Sequence, residues 1–527
     1  MIDNSLNTID KIYQSFIRTA IPDDMIMYYN DSQVSVKVYM DGVDRYTRHL
    51  INLGVKPGVA IGYSMPNCPE VFYLFTAISR LGACAVPLFH MFPDVAKVDI
   101  FQKSRVQLVI VSEMQYDSFK AASEKAGCQY RIVTTHKGSA CEYDFESSID
   151  HIDLNSYYMN EVSPDMPLVI ASSSGTTGIP KLVAMTQANI ASEVYASIDL
   201  ITPINSNIIK GYRYSIAFPL STSGIITIIG LMFGGISIIF SQDVSPLRFL
   251  KLMSQWKAEG LTAPPAYFES ILSLPMLDTF DLTSVETMAG GMDFISPSLV
   301  RRMKEKFINL NSLANGYGLI ETANVFMVCK QNVEEGFYKP TSKMRLCSGT
   351  SNAIEVRDEG GSLVSPGNEG ELYVRGSNVV RGYLNNAEET ARSFGDGWFK
   401  TGDIVRNEGD GYITLLGRRK YLIKRGGKSI SPVFVQDHLN KVEGIKVSAV
   451  VGVPHQLYGE MVWAFIVVKD GYKVELKDIM KHCRKELPNY MVPDQVLFID
   501  EIPKNPGAGK VNYERLKEVA LSELGNI

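Results

Sequence analysis

The chain is organised around the stretch Ser172-Ser173-Ser174-Gly175-Thr176-Thr177-Gly178-Ile179-Pro180-Lys181. An apolar run, Leu168 to Ala171, precedes it, and another, Leu182 to Met185, follows it. Two such runs around a Ser- and Gly-rich segment predict a strand–loop–strand hairpin. Glycines let the backbone approach a ligand, and successive N–H groups with hydroxyls form a donor surface for anions. With the positive charge of Lys181 added, the loop is predicted to bind a polyphosphate.

The loop could also be an ordinary surface turn or a Walker P-loop. Ser, Gly and Thr dominate ordinary surface turns, but here core-type strands flank the loop and Pro180 stiffens its exit. A Walker P-loop needs a Gly, four residues and then Gly-Lys-Ser/Thr, which this stretch lacks. The Gly-Lys pairs at 427–428 and 509–510 have Leu422 and Lys504 in place of the first Gly. P-loop kinases and GTPases are therefore not expected.

Composition indicates a globular protein of several folding units. Its 527 residues exceed one core, and its apolar (45%) and charged (21%) fractions are ordinary. A net charge of −5 gives no electrostatic basis for nucleic-acid binding. Seven dispersed cysteines without a Cys-x-x-Cys pair favour free thiols. Since Met1 to Asn4 lacks a signal-peptide pattern and the apolar stretch Ile225 to Phe240 is short and Gly-interrupted, we expect a cytoplasmic protein with no membrane span.

The order of apolar runs predicts an α/β protein. Short apolar strands alternate with helical segments to about residue 330, which favours parallel sheets covered on both faces, in two doubly wound units. After residue 340, alternating strands among Gly, Pro and Asn predict a small antiparallel β-unit. Residues 421–527 are predicted to form a compact α+β module with strands Ala449 to Val453 and Trp463 to Val468.

The hairpin loop resembles the phosphate-binding motif of the adenylate-forming superfamily, which comprises acyl- and aryl-CoA synthetases, nonribosomal-peptide adenylation domains and luciferases. The usual motif is Ser-Gly-Thr-Thr-Gly-x-Pro-Lys-Gly, and here Leu182 replaces the last glycine. Between about residues 35 and 516, five motif blocks occur in the same order as in the family. The resemblance implies that ATP is bound by Ser173, Ser174, Gly175, Thr176, Thr177, Gly178 and Lys181 of this loop.

A second motif is Asn315-Gly316-Tyr317-Gly318-Leu319-Ile320-Glu321-Thr322, which resembles Tyr-Gly-x-Thr-Glu. The resemblance implies that Asn315, Tyr317 and Gly318 bind ATP, with Tyr317 on adenine, and that Glu321 is catalytic and holds Mg²⁺. The family's phosphate-contacting threonine is Ile320 here, so either Thr322 or the hairpin loop would compensate. Glu321 could instead be an ordinary carboxylate at a helix start.

Further nucleotide contacts are implied by two more segments. Trp398-Phe399-Lys400-Thr401-Gly402-Asp403 resembles the family's Thr-Gly-Asp motif, in which the carboxylate of Asp403 would accept from the ribose hydroxyls. The lead-in from residue 367 onward, including Gly382-Tyr383, agrees with the family, which argues against an ordinary surface turn. Gly290 and Gly291 resemble the segment that lines the adenine site.

The basic run Gly417 to Lys428 resembles the hinge between the family's large and small domains. In it Arg418 would help to hold ribose or phosphate, and Lys420 lies at the pivot. Lys424, Gly426 and Gly427 fall where the family contacts the thiol acceptor. A solvated linker or an anion patch without catalysis is the alternative, and the family's glutamates just beyond are replaced by Phe434 and Gln436.

The segment Ile502 to Lys510 resembles the family's terminal motif, whose lysine drives adenylation. Lys510 is therefore predicted to be catalytic, by electrostatic stabilisation of the transition state at the α-phosphate. The loop is one residue longer than the family's Pro-Ser-Gly-Lys, and a lone lysine near a C-terminus is otherwise a solvated surface residue.

The acyl pocket is assigned by resemblance to Ser221, Thr222, Tyr267 and Gly316. Ser221-Thr222 stand where an aromatic–His pair is common, and the Asp that amino-acid-activating domains use against an α-ammonium is missing. A neutral, hydroxyl-lined pocket favours an uncharged aryl or aliphatic carboxylic acid.

The resemblance implies an α/β fold with a large N-terminal domain, made of two doubly wound subdomains plus a small β-barrel, followed by a small mobile α+β C-terminal domain. The N-terminal AMP-binding domain would span 1–418, the hinge 418–421 and the C-terminal lid domain 421–527. The expected assembly is a monomer or homodimer.

The implied activity is that of an AMP-forming acyl-CoA synthetase. A carboxylic acid and Mg²⁺-bound ATP would give an acyl-adenylate and pyrophosphate, and the acyl group would then pass to the thiol of CoA. One alternative acceptor is the phosphopantetheine of an acyl carrier protein. Another alternative is a degenerate nucleotide-binding or acyl-transferring relative with weak adenylation, favoured by Ile320, the altered pocket and the longer lysine loop.

Overall fold

A computed structural model describes residues 5–524, apart from 136–142, 144, 146, 148, 150, 151, 155–161, 174–180, 203–209, 292–294, 296, 334–342 and 505–510. The helices of the described residues are α1 (Ile9–Thr19), α2 (Val36–Asn52), α3 (Pro69–Arg80), α4 (Asp94–Lys103), α5 (Glu113–Lys125), α6 (Gln187–Ile201), α7 (Thr222–Phe233), α8 (Pro246–Gln255), α9 (Pro265–Leu272), α10 (Pro297–Lys306), α11 (Ala387–Ser393), α12 (Pro432–Leu439), α13 (Leu476–Glu486) and α14 (Tyr513–Leu524). Short 3₁₀ turns span Leu277–Thr279, Ile320–Thr322 and Asn489–Met491.

The strands of the N-terminal half are β1 (Met25–Tyr29), β2 (Ser32–Ser35), β3 (Ala60–Ser64), β4 (Cys84–Pro87), β5 (Leu108–Val111), β6 (Arg131–Thr134), β7 (Pro167–Ser173), β8 (Lys181–Thr186), β9 (Arg213–Ile216), β10 (Ser237–Phe240), β11 (Gly260–Thr262), β12 (Thr287–Gly290), β13 (Ser312–Leu319) and β14 (Asn324–Asn332). Those of the C-terminal half are β15 (Arg345–Leu346), β16 (Ala353–Arg357), β17 (Glu369–Arg375), β18 (Phe394–Gly395), β19 (Trp398–Gly409), β20 (Tyr412–Arg418), β21 (Ile423–Arg425), β22 (Lys428–Ile430), β23 (Ile445–His455), β24 (Gly459–Val468) and β25 (Gln495–Phe498).

Two mixed sheets form the large N-terminal part. The first has the order β6-β5-β3-β4-β7-β8, parallel except for the β7–β8 hairpin. The second has the order β15-β14-β13-β12-β11-β9-β10-β1-β2, with a parallel centre and antiparallel pairs at both edges. The central strands β3, β5 and β10 are buried along their whole length and mostly apolar, which agrees with the prediction of sheets covered on both faces.

The two remaining sheets are smaller. Strands β16, β17, β19, β18 and β20 form an antiparallel sheet, which agrees with the antiparallel unit expected after residue 340. Strands β21 to β25 form the C-terminal sheet, in which only β24 and β25 pair in parallel. Two apolar clusters cover this sheet, one of them involving α12 and α13 and the other α14. The prediction of a mixed α/β chain with a smaller α+β unit at its C-terminus is confirmed.

The start of α6 shows how local sequence fixes the elements near the hairpin. Thr186 ends β8 and caps α6, since its hydroxyl accepts from the Asn189 N–H at 3.2 Å while Asn189 Oδ1 accepts from the Thr186 N–H at 2.9 Å. Asn189 also donates to the carbonyls of Ser377 and Val379 at 2.8 and 3.2 Å. One asparagine therefore ties the hairpin exit to the loop after β17.

The apolar stretch from Ile225 to Phe240 forms most of α7, a turn and β10, as expected. Helix α7 packs closely on α6, because a Cβ at Gly230 would lie 3.0 Å from Val194 Cα. No helix of the described residues is long and apolar enough to cross a bilayer.

We expect Gly260→Ala to destabilise the second sheet. An added Cβ would lie 2.2 Å from Tyr214 Cε2, and that ring is fully buried with its hydroxyl on the Leu261 carbonyl. Overpacking of this kind costs about 1–3 kcal/mol. A thermal melt followed by circular dichroism should show a Tm lowered by several degrees. Gly395→Ala is the control, because nothing lies within 4 Å of its added Cβ, and an equal Tm for both variants would contradict the expectation.

Candidate active site

The best-defined part of the site is a carboxylate held by two strands. Asp403 on β19 and Arg418 on β20 are opposite partners in the antiparallel ladder. Arg418 Nε lies 3.0 Å from Asp403 Oδ1, and the Tyr317 hydroxyl donates to Asp403 Oδ2 at 2.6 Å. A carboxylate accepts hydrogen bonds at both oxygens, and Asp403 uses both of them here. The structure thus brings together three residues that the sequence assigned to adenine, ribose and phosphate.

Arg418 also interacts electrostatically with Glu321, the predicted metal ligand. Burial raises the pKa of Tyr317 well above its ordinary value, and the Asp403 charge adds to the effect. Burial alone would lower the pKa of Arg418, but the charges of Asp403, Tyr317 and Glu321 outweigh it and raise that pKa. Glu321 is therefore close enough to Arg418 to stabilise its charge.

Glu321 lies in the 3₁₀ turn Ile320–Thr322, not at an α-helix start. Its Oε1 accepts from the Tyr383 hydroxyl at 2.9 Å, and its backbone carbonyl accepts from the Val380 N–H at 3.0 Å. The turn ends at Ala323 with φ 47°, a left-handed conformation that is strained for a residue with a side chain. Backbone and side chain of Glu321 are thus both fixed.

Lys181 is joined to the same group. It pairs across the hairpin with Ser173, so the ends of the predicted phosphate loop are closed. Its Nζ lies 2.5 Å from Glu389 Oε1 and 4.9 Å from the centroid of the Tyr383 ring. Since Tyr383 also donates to Glu321, one ring links the loop lysine to the predicted metal carboxylate. Ser174, Gly175, Thr176, Thr177 and Gly178 lie outside the described residues.

Thr322 does not replace the missing motif threonine. It is fully buried, and its hydroxyl accepts from the Leu319 N–H at 2.9 Å and faces the carbonyls of Leu319 and Asn324. Of the two ways to compensate for Ile320 that the sequence left open, the hairpin loop remains.

Glycines let the chain pack closely around Tyr317. A Cβ on Gly318 would lie 1.7 Å from the Asn324 carbonyl oxygen, and one on Gly290 would lie 2.4 Å from Ile295 Cδ1. A Cβ on Gly291 would lie 3.2 Å from the Gly316 carbonyl oxygen, so the end of β12 abuts β13 at this point. Asn315, the partner of Gly290 in the ladder, places its Oδ1 in a buried position without a hydrogen-bond partner among the described residues.

The predicted acyl residues lie on different elements of the fold. Ser221 and Thr222 form the N-terminus of α7, after a turn that Asn67 holds by accepting from the Leu220 N–H at 2.8 Å. Gly316 faces α6, since its added Cβ would lie 3.2 Å from Leu200 Cδ1. Tyr267 lies on α9, where its hydroxyl donates to the Val244 carbonyl at 2.8 Å and its ring packs on Phe249. Its assignment to the acyl pocket stays a prediction.

The predicted hinge and acceptor residues follow β20. Lys420 Nζ lies 3.9 Å from Glu514 Oε1 and 4.3 Å from the Tyr421 ring centroid, so it contacts the start of α14. Lys424 donates to the Ser429 hydroxyl at 2.8 Å across the β21–β22 hairpin. Gly426 and Gly427 form its turn with φ of 54° and 77°, values that favour glycine.

Lys510 lies outside the described residues. The strand-like bridge between Lys504 and Val511 and the hydrogen bond from the Asn512 N–H to the Pro503 carbonyl bring the two ends of its loop together. The role of Lys510 is therefore inferred from the sequence motif Ile502 to Lys510.

The residues present fit magnesium and a nucleotide. No cluster of three or more His, Cys, Asp or Glu side chains suited to a metal occurs in the described part of the chain. Mg²⁺ in nucleotide sites usually takes one or two carboxylates plus phosphate oxygens and water, and Glu321 supplies one such carboxylate. The Asp403 carboxylate suits ribose hydroxyls, and the Arg418 and Lys181 cations suit phosphates.

Two family models match the chain. The AMP-binding enzyme family matches residues 18–384, and the C-terminal domain of the same enzymes matches residues 435–510. The chain belongs to the AMP-binding enzyme family. This confirms the adenylate-forming superfamily predicted from the motifs, and with it the class of AMP-forming acid–thiol ligases.

Curated relatives of this AMP-binding enzyme match along most of their length. A putative acyl–CoA ligase of Bacillus subtilis is 27% identical over 497 residues, which cover 93% of this chain and 95% of that protein. An oxalate–CoA ligase of Arabidopsis thaliana is 28% identical, with 89% and 90% covered. A 4-coumarate–CoA ligase of Vanilla planifolia is also 28% identical, with 89% and 85% covered.

Solved structures share the fold. The amide bond synthetase McbA of Marinactinospora thermotolerans superposes with a TM-score of 0.83 at 21% identity, covering 97% of this chain and 99% of that one. The anthranilate CoA ligase AuaEII, solved with anthranoyl-AMP, gives a TM-score of 0.82 at 20% identity, with 98% of each chain covered.

Sequence reasoning missed two residues of this site. Tyr383 was quoted only as part of a lead-in, although it bonds Glu321 and covers Lys181. Glu389, the ion-pair partner of Lys181, was not considered. Neither contact has a sequence signal of its own, because each joins residues more than 60 positions apart.

We expect Asp403→Asn to weaken ATP binding at least tenfold. The change leaves Arg418 without its ion-pair partner and removes a charged acceptor for ribose, and hydrogen bonds to charged groups contribute about 1.5–3 kcal/mol. Titration calorimetry with a non-hydrolysable ATP analogue measures the affinity. Glu408→Gln is a matched control, since Glu408 pairs with Arg406 on the same strand and contacts none of the predicted site residues. Equal affinities for the two variants would contradict this role of Asp403.

We also expect Glu389→Gln to tighten ATP binding about threefold or more. Its charge neutralises Lys181, and this pair, with both side chains less than one-fifth exposed, must separate before Lys181 can bind a phosphate. Glu388→Gln, an exposed neighbour on α11, is the control for net charge. The same calorimetry applies, and unchanged or weaker binding by Glu389→Gln would show that the pair instead holds Lys181 in place.

Proposed function

We propose that this enzyme adenylates a carboxylic acid with ATP and transfers the acyl group to the thiol of CoA. The observation that carries the proposal is the convergence of three charged groups from distant motifs. Tyr317 bonds Asp403, the ion-pair partner of Arg418, and Tyr383 contacts both Glu321 and Lys181. The curated relatives, which are CoA ligases by name, support the same activity.

In the first step, a carboxylate oxygen of the acid attacks the α-phosphorus of ATP while the bond to pyrophosphate breaks. Asp403 accepts from the ribose hydroxyls, and Arg418 and Lys181 balance phosphate charge. Lys510 stabilises the charge that develops at the α-phosphate. A magnesium ion held by Glu321 would supply Lewis-acid neutralisation of the phosphates.

In the second step, the acceptor sulfur attacks the acyl carbon and AMP leaves. We propose that residues 1–418 form the nucleotide-binding domain and 421–527 the lid, with the hinge at 418–421. Arg418 ends β20 inside the site, whereas Lys420 already contacts α14, so the chain passes from one unit to the other within three residues. Lys424, Gly426 and Gly427 would then face the thiol acceptor.

The proposed substrate is an uncharged aryl or aliphatic acid. Ser221 and Thr222 at the start of α7 are neutral, and Gly316 packs against the apolar side chains of Leu200 and Val325. No acidic residue is among these pocket residues, which disfavours an amino acid with its α-ammonium group.

The test is pyrophosphate release with Mg²⁺ and ATP across aryl and short-, medium- and long-chain acids. We expect acid-dependent release that falls about 100-fold or more in Lys510→Ala, because one electrostatic donor to a transition state contributes that much. Lys504→Ala, an exposed lysine at the other end of the same loop, is the control and should stay within about twofold.

The same assay separates the alternatives. Mass spectrometry of the product with CoA and with a phosphopantetheinylated carrier protein shows which acceptor is used. ATP binding without pyrophosphate release for any acid would overturn the ligase in favour of the degenerate relative. Ile320→Thr would then be the variant to test for recovered activity.

A further inference from the structure

A second polar cluster lies beside the acyl side of the site. Glu193 on α6 is fully buried, and the Ser197 hydroxyl donates to its Oε1 at 2.9 Å. Its Oε2 is also buried and makes no hydrogen bond of good geometry with a described residue. A carboxyl group buried with one oxygen unpartnered is costly unless something else uses it.

Burial favours the uncharged form of Glu193. Burial raises its pKa well above the ordinary value, and the nearby Ser197, the Val325 N–H, Asn324 and Thr227 offset this only in part. A neutral carboxyl group both donates and accepts a hydrogen bond. In that form Glu193 can either donate a hydrogen bond to the side-chain amide of Asn324 or accept one from it.

The cluster extends from Glu193 towards the accessible face of α7. Ser223 donates to Asn324 Oδ1 at 2.6 Å. Ser223 and Thr227 are one turn apart on α7, hence on the same helix face, and both are partly exposed. Asn324 has φ 81°, so its backbone is held in the left-handed region at the start of β14.

This cluster adjoins the residues assigned to the acyl pocket. Ser223 follows Ser221 and Thr222 in the first turn of α7. Val325, next to Asn324, lies 3.2 Å from the Cβ position of Gly316. Three elements, α6, α7 and β14, thus bring polar groups together beside the residues assigned to the acyl pocket.

We infer that Ser223, Thr227 and Asn324 recognise an uncharged hydrogen-bonding substituent, a hydroxyl or amino group, on the carboxylic acid substrate. Glu193 is the positioning residue behind Asn324. The inference rests on the proposed function, because it names the substrate class of that site. A site with buried polar groups rejects the analogue that lacks their partner, since those groups are then left unpaired.

The experiment compares acids that differ by one substituent, such as benzoate with its 4-hydroxy and 4-amino forms, and octanoate with 8-hydroxyoctanoate. Two readouts are taken: kcat/KM for pyrophosphate release, and the Kd of the acid alone by calorimetry. We expect the wild type to favour the substituted member of at least one pair tenfold or more in both readouts. Less than threefold discrimination in every pair would overturn the inference.

Variants of the cluster show which residues cause the preference for the substituted acid. Asn324→Gly, which keeps the left-handed backbone accessible, and Ser223→Ala should each reduce the ratio of kcat/KM between the substituted and the unsubstituted acid below threefold. Glu193→Gln, which stays neutral and hydrogen-bonding, should retain the preference, whereas Glu193→Leu should lose it. Thr202→Val is the control, because Thr202 caps the C-terminal end of α6, the helix that carries Glu193. This variant should behave as wild type. A preference that survives both Asn324→Gly and Ser223→Ala would overturn the assignment.

The two readouts separate this inference from the proposed function. Pyrophosphate release without discrimination refutes the cluster and leaves the ligase standing. If no acid supports release, calorimetry decides alone. A tenfold tighter Kd for a substituted acid that Asn324→Gly abolishes supports the cluster, and equal affinities or no binding refute it.

Discussion

The pairing of Asp403 with Arg418 is the constraint on which the site depends. Backbone hydrogen bonds of the β19–β20 ladder place the two residues opposite each other, so their geometry does not rely on flexible side chains alone. Asp403 then takes the hydroxyl of Tyr317 from the neighbouring large sheet. One carboxylate therefore joins two sheets, and its partner Arg418 is the last residue of β20, just before the C-terminal unit.

Each charge of the predicted nucleotide site already has a protein partner. Lys181 pairs with Glu389, Glu321 accepts from Tyr383, and Asp403 is shared by Tyr317 and Arg418. Binding a nucleotide at such a site exchanges one set of partners for another, so the measured affinity reports a difference between two sets of contacts. Partners that must be released, such as Glu389, influence affinity as strongly as groups that touch the ligand.

The sequence predicted elements better than contacts. Apolar runs lie within their strands, as Leu168 to Ala171 does in β7, because burial leaves a pattern in the chain itself. The β7–β8 hairpin at the edge of the first large sheet was predicted, but the antiparallel pairs at the edges of the second were not, since pairing direction depends on the path between strands. Glu321 was placed by its motif, but its 3₁₀ turn and its bond to Tyr383, 62 residues away, arise only in the folded chain.

The nucleotide side and the acyl side of the site meet at one backbone turn. Glu321 lies in that turn, and Ala323 and Asn324 complete it with φ of 47° and 81°. Asn324 also receives the hydroxyl of Ser223 from α7. Because non-glycine residues hold this conformation only when their surroundings fix it, contacts on the acyl side help to set the turn that carries the metal carboxylate. The predicted metal carboxylate and the polar cluster at Asn324 therefore share one short stretch of backbone, residues 321–324.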